Sequence, residues 1–112
     1  MLEFLNLKDV QPLAHAQFVS NMVDYGMNVQ EAMEAPRFSK NNAPGCEVSF
    51  ESRLPAATLQ QLSEKGHMIQ IRREYAEPFG RGQAILHDAK TGMNFAASDP
   101  RADGAAIPEP IC

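Results

Sequence analysis

Hydrophobic positions along this chain change their spacing several times, and each change marks an element. Between residues 12 and 25, Ala14, Phe18 and Met22 recur every fourth residue with Val19 and Val23 beside them, the single apolar stripe of a helix. Pro12 suits its first position, where a missing N–H has no intrahelical partner to lose, and Gly26 can take the left-handed conformation that closes it. A second, short helix is predicted to start at once. Asn28 and Glu31 stand in the N-x-x-E spacing of a capping box, and Pro36 disfavours a helical Ala35 and ends the helix.

From Cys46 to Ser52 the period drops to two. Cys46, Val48 and Phe50 alternate with Glu47, Ser49 and Glu51, which predicts a strand with one buried face. Residues Pro55 to Lys65 return to helical spacing through Leu59 and Leu62, with Gly66 as the stop. His67 to Arg73, carrying Ile69 and Ile71, reads as another strand. Gln83 to His87 and Met93 to Ala97 read as a hairpin joined by residues 88–92. Residues 98–112 hold three prolines and a glycine and are expected to run irregularly. The order is helix, helix, strand, helix and three strands, without an internal repeat: an α+β, layered sheet-and-helix piece.

Composition narrows the classes. A chain of 112 residues makes one small domain or part of a larger one, and 44% hydrophobic with 21% charged residues argues for a folded chain. The net charge of -4 gives no basic footprint for nucleic acid. Arg72, Arg73 and Arg81 are interrupted by Glu74 and Glu77 and read as a solvated strand end. Cys46 and Cys112 make no disulfide framework. No apolar run approaches the length of a membrane span, and the first residues lack the basic and apolar regions of a signal peptide. Neither a nucleic-acid nor a membrane partner is expected.

Reactive groups are sparse. His15, His67 and His87 fall on three different elements without metal-ligand spacing, so packing or surface roles are expected and no metal or cofactor. Cys46 paired with a histidine would make a thiol nucleophile, but no motif supports it, and a free cysteine on a strand's buried face is ordinarily core. The methionines at helical spacing read as core filler. Phe79-Gly80-Arg81-Gly82 lacks the third glycine and the following helix of a phosphate cradle. Residues 96–104, Ala-Ala-Ser-Asp-Pro-Arg-Ala-Asp-Gly, are harder to set aside, because Asp99 and Asp103 flank Arg101 at the end of a predicted strand. Arg37 leaves a proline-terminated helix in a similar way. Guanidinium forks bind carboxylates in bidentate fashion, so both arginines are candidates to fix loop geometry in a larger assembly.

At these residues the chain resembles the gamma-glutamyltranspeptidase family. The resemblance runs through Asp24-Tyr25-Gly26-Met27-Asn28-Val29-Gln30-Glu31-Ala32, then Ala35-Pro36-Arg37-Phe38, and through Leu59, Leu62 and Lys65-Gly66-His67. It continues through Gly82-Gln83-Ala84-Ile85 and Ala97-Ser98-Asp99-Pro100-Arg101 with Asp103-Gly104. The motifs keep the family's order from residue 9 to about 106, and the Asp9-x-Gln11-Pro12 entry is similar to the bacterial gamma-glutamyltranspeptidase-like or acylase-like branch.

The resemblance implies an N-terminal nucleophile hydrolase with a four-layer αββα fold, of which this chain would be the C-terminal part of the small subunit. Such a precursor cleaves itself, and the small subunit then begins with a catalytic threonine whose α-amino group is the base. The enzyme transfers a gamma-glutamyl group from glutathione or a related amide to water, an amino acid or a peptide. Two departures matter. No threonine precedes Thr58, so that nucleophile is not among these residues, and Leu7-Lys8 replaces a Gly-Gly pair that lines the family's oxyanion hole.

No family catalytic residue is therefore carried onto this chain. Arg37, Asp99, Arg101 and Asp103 carry over as structural and maturation support. The expected division is a leader outside the family pattern over 1–8, the small-subunit segment over 9–106 and a flexible tail over 107–112. The expected partners are the large subunit and the front of the small subunit, with homo-oligomers when the chain is isolated. The compartment is unassigned, the parent being bacterial and either cytoplasmic or periplasmic. Two alternatives stay open: a stand-alone, non-catalytic binding module, and a small hydrolase built on Cys46.

Overall fold

The computed structural model describes residues 2–5, 11–40, 45–75, 79–105 and 107. Among the described residues nine elements follow one another: β1 (Leu2–Leu5), α1 (Gln11–Val23), α2 (Val29–Glu34), β2 (Phe38–Ser39), β3 (Glu47–Glu51), α3 (Ala56–Glu64), β4 (Met68–Arg72), β5 (Arg81–His87) and β6 (Asn94–Ser98). They form two three-stranded sheets, ordered β1-β5-β6 and β2-β3-β4.

The first sheet is antiparallel throughout, with β1 against β5 and β5 against β6. Helices α1 and α2 cover one face. Ala14, Phe18, Val29, Ala32 and Met33 bury against Ala84 and Ala97 of the strands. Alanines on both sides of this contact let the helices approach the sheet closely. The apolar stripe of α1 is narrower than its spacing predicts: Ala14 and Phe18 are buried, whereas Val19 and Val23 are exposed.

In the second sheet β2 pairs antiparallel with β3, and β3 pairs parallel with β4 across α3. A parallel pair needs a crossover connection, which α3 supplies. Val48 and Phe50 of β3 pack with Leu59 of α3, and Leu54, Leu62 and Ile69 close over them. Cys46 departs from the expectation of a buried face. It precedes β3 and is exposed. Glu51 departs in the opposite sense, being on the polar phase of the strand and yet fully buried.

The cap of α2 and the stops after α1 and α2 appear as read, while α1 begins at Gln11, one residue ahead of the expected Pro12. Asn28 caps α2 by accepting the Glu31 N–H at 2.8 Å, and Glu31 Oε2 accepts the Asn28 N–H at 3.0 Å. Gly26 and Gly66 take positive φ of 66° and 98° behind α1 and α3, where a side chain would be strained. Two elements have no counterpart in the sequence reading: the two-residue β2, and β1 within the stretch read as a leader. The remainder of that leader, with Leu7-Lys8, lies outside the described residues, as do Asp9 of the family segment and the tail over 107–112 apart from Ile107.

Candidate functional site

Four charged side chains meet where α2 ends, between the two sheets. Arg37 follows α2, Glu51 ends β3, and Asp99 and Arg101 occupy the turn after β6; their residue exposures are 2%, 0%, 1% and 8%. Arg101 grips Glu51 in bidentate fashion, Nε to Oε1 at 2.6 Å and Nη2 to Oε2 at 2.8 Å. Arg37 Nη1 reaches Asp99 Oδ2 at 2.8 Å, and Arg101 Nη1 reaches Asp99 Oδ1 at 3.0 Å. Two cations and two carboxylates therefore balance one another out of contact with water. Such a group survives only when every partner is in place, because one unpaired buried charge is strongly destabilising.

Local structure explains how the four converge. Pro36 breaks α2 and turns the chain so that Arg37 points back under the helix. Its Nη2 donates to the Met33 carbonyl at 3.0 Å, and its Nη1 to the Phe79 and Gly80 carbonyls at 3.3 Å each. Asp99 folds its own turn by accepting the Arg101 N–H at 3.0 Å, and its Oδ2 accepts the Gly82 N–H at 2.8 Å. Arg101 completes the arrangement with Nη1 on Met33 O and Nη2 on Ala35 O, both at 2.9 Å. Arg53 Nη2 donates to Glu34 O and to Glu51 Oε2.

Carbonyls at the end of a helix have no intrahelical donors. Those of Met33, Glu34 and Ala35 are all taken by arginines from three other segments, which also answers the negative end of the helix dipole. A six-residue helix is marginal alone. Here its first turn is closed by its own Asn28 and its last by Arg37, Arg53 and Arg101.

The two buried arginines are not equivalent. Burial, together with the neighbouring Arg101 charge, holds Arg37 below its ordinary value, although Asp99 works the other way. Burial also disfavours the Arg101 cation, but Glu51 and Asp99 outweigh it and leave Arg101 above its ordinary value. The difference follows from partners: Arg101 contacts two carboxylates, Arg37 one carboxylate and several neutral carbonyls. Tyr75 lies over the outer side of the network, its ring 4.1 Å from the Arg53 guanidinium carbon and 5.5 Å from that of Arg101.

Each oxygen of Glu51 and Asp99 accepts at least one hydrogen bond, so these carboxylates brace the fold and offer no free base. Of the four residues singled out in the sequence, the structure joins Arg37, Asp99 and Arg101. Asp103 stands apart, exposed on the turn. Glu51 was missed. The available signal was a charge count, since two buried arginines need a second carboxylate, and the alternation of β3 spoke only for a solvent-facing Glu51. Among the described residues no group of three or more histidine, cysteine and acidic side chains is placed to hold a metal.

Arg37, Asp99 and Arg101 of this network lie in motifs that carry the family resemblance, and a model of the gamma-glutamyltranspeptidase family matches residues 9–109. The chain belongs to the gamma-glutamyltranspeptidase family. It is 33% identical over 100 residues to the glutathione hydrolase-like YwrD proenzyme of Bacillus subtilis, covering 87% of this chain and 19% of that protein. The cephalosporin acylase from Bacillus halodurans superposes with a TM-score of 0.85 at 34% identity, over 98% of this chain and 20% of that one. An acivicin-inhibited gamma-glutamyltranspeptidase, reported to show critical roles for its C-terminus in autoprocessing and catalysis, matches with a TM-score of 0.66 at 28% identity, over 84% of this chain and 49% of that one. The mixed helix-and-strand fold is thus that of the gamma-glutamyltranspeptidase and acylase N-terminal nucleophile hydrolases. The chain spans about a fifth of the length of the B. subtilis relative.

Proposed function

We propose that this chain is a supporting segment of a gamma-glutamyl hydrolase or transferase, and that its buried arginine–carboxylate network braces the enzyme for self-cleavage and turnover. The observation that carries the reading is the position of Arg101, which joins Glu51 of one sheet, Asp99 beside the other and the last carbonyls of α2 in one buried knot. Arg37 performs the same service from the other side. A precursor that attacks its own backbone needs the attacking group held in a near-attack geometry, and rigid supporting elements hold it. The acivicin-inhibited relative supports this role, since critical functions in autoprocessing and catalysis are ascribed to its C-terminus.

The nucleophile and base of the reaction belong, on this reading, to residues the chain does not contain. In isolation the segment is inactive toward gamma-glutamyl amides. Its partners are the large subunit and the front of the small subunit, against which its outer helices and sheet edges pack. Asp103 acts at the surface of the same turn and is the least critical of the support residues.

A transplant tests the role directly. The segment replaces its counterpart in the B. subtilis YwrD proenzyme, and the appearance of two subunits is followed by gel electrophoresis. The chimera with the unaltered segment is expected to cleave itself, and the chimera carrying Arg101→Met to stay a single soluble chain. Equal cleavage of the two would refute the bracing role.

A further inference from the structure

Two glutamines, one on α1 and one on α2, hydrogen-bond a strand as a neighbouring strand would. Gln17 donates from Nε2 to the Phe38 carbonyl at 2.9 Å and accepts the Phe38 N–H on Oε1 at 3.0 Å. Gln30 donates from Nε2 to the Ser98 carbonyl at 3.0 Å and accepts the Ser98 N–H on Oε1 at 3.1 Å. Phe38 and Ser98 lie on β2 and β6, outer strands of their sheets among the described residues. A primary amide carries the donor and acceptor of a peptide group, so it closes one rung of a ladder. The remaining hydrogen of each Nε2 ties the amide to its own helix, at the Leu13 carbonyl (3.2 Å) and at Glu34 Oε1 (3.0 Å). The orientation is thereby fixed, since the reverse sets oxygen against oxygen and N–H against N–H.

The clasped residues are the immediate neighbours of the ion network. Phe38 follows Arg37 and Ser98 precedes Asp99, and these two charged side chains meet at 2.8 Å although 62 residues separate them. We propose that Gln17 and Gln30 are positioning residues that set the Arg37–Asp99 pair, each by fixing the backbone beside one of its members. A guanidinium and a carboxylate keep a short, charge-assisted hydrogen bond only over a narrow range of distance and angle, so a strand end free to shift loosens it. The role rests on the bracing function proposed above. It extends that machinery from buried charges to two half-buried neutral side chains on the helices.

Proton exchange in the 112-residue chain tests the positioning. Gln17→Leu and Gln30→Leu keep most of the side-chain bulk and remove the hydrogen bonds. Each is expected to speed exchange of the Arg37 guanidinium protons with water about tenfold, because a misplaced pair opens more often. An otherwise unchanged proton–nitrogen spectrum checks the fold. Gln17→Glu adds a readout that bulk alone would not move, because the partners of Gln17 are backbone groups and do not titrate. The ionised carboxylate has no donor for the Phe38 carbonyl, whereas the protonated acid restores the donor and acceptor of the amide. Exchange relative to the unaltered chain should therefore be fast at neutral pH and return toward parity as pH falls below about 4.3. In the YwrD chimera, both Leu variants should slow self-cleavage about tenfold, and Arg101→Met should abolish it. The positioning role is overturned if Arg37 exchange is unchanged in both Leu variants, or if Gln17→Glu behaves alike at the two pH values. It is also overturned if both Leu chimeras cleave at the unaltered rate while the Arg101→Met chimera stays uncut. Normal cleavage of the Arg101→Met chimera would instead refute the bracing role itself, and this extension with it.

Discussion

Arg101 and Glu51, 50 residues apart in the chain, face each other through two parallel hydrogen bonds of 2.6 and 2.8 Å with both side chains wholly buried. This contact joins the turn after β6 to the last residue of β3, and hence the two sheets. Glu51→Gln removes its charge and leaves two buried guanidinium groups facing one carboxylate. Loss of one partner of a buried pair costs about 3–5 kcal/mol, a drop of more than about 10 °C in melting temperature for a chain this short. Melting followed by circular dichroism checks it; a loss below about 1 kcal/mol would mean that the pair is not formed in solution.

The same two residues should be coupled. Arg101→Met and Glu51→Leu together are expected to destabilise less than the sum of the single changes, because the double variant leaves neither charge stranded. Part of the cost remains, since the carbonyls of Met33 and Ala35 lose their Arg101 donors. A double-mutant cycle in urea reads the difference, and strict additivity would count against the contact.

Asn28 should carry a smaller, separable share. Asn28→Ala removes the cap of α2, worth about 1 kcal/mol, while Glu31 loses its reciprocal bond. Faster amide hydrogen exchange confined to the first turn of α2 is the expected signature. Unchanged exchange there would show that the arginines at the other end hold the helix unaided.

Asp88 in the β5–β6 turn supplies the pH dependence. Its carboxylate accepts from Thr91 Oγ1 at 2.8 Å and from the Lys90 N–H at 2.9 Å, which hold it below the usual carboxylate range. A depressed folded-state value means that its support is present above the ordinary carboxylate value and is lost as pH falls through the depressed one. The hairpin turn should therefore loosen only once the pH falls below the ordinary carboxylate range. Carbon chemical shifts of Asp88 titrating at or above the ordinary value would contradict this.

The second sheet exposes apolar side chains: Met68 and Ile71 on β4, Phe38 on β2, and a cleft of about 440 Å³ lined by Pro36, Phe38, Val48, Phe50, Leu54 and Leu62. An isolated copy is expected to self-associate through the face of the sheet that carries Ile71, Phe38 and this cleft. Light scattering should give a mass above that of one chain, reduced by Ile71→Lys. A strict monomer at every concentration would count against it.

Local signals explain what could be read in advance. The α2 cap needs only Asn28 and Glu31, three residues apart, and the stops at Gly26 and Gly66 need single residues, so they were visible in the sequence. The partnership of Arg37 and Arg101 with carboxylates was legible as chemistry, because a guanidinium leaving a proline turn has few other uses. Which carboxylates were involved was not legible. Alternation in β3 states that Glu51 opposes Phe50 across the strand, and says nothing about α2 and Arg101 covering that side. Asp103 lies outside the network for the complementary reason: two residues beyond Arg101, the turn has already carried the chain back to the surface. Val19 and Val23 were over-read because α1 meets the sheet over only part of its stripe. The pair β2–β3 is two residues long, too short for any period to register.

The two apolar clusters share no residue, so what couples them includes a salt-like knot as well as backbone. Guanidinium chloride delivers, as a solute, the same headgroup that Arg37 and Arg101 present to Glu51 and Asp99, whereas urea carries no charge. Ionic denaturant therefore competes for the seam and attacks the oily halves alike, and the order in which the two halves come apart should depend on which denaturant is chosen.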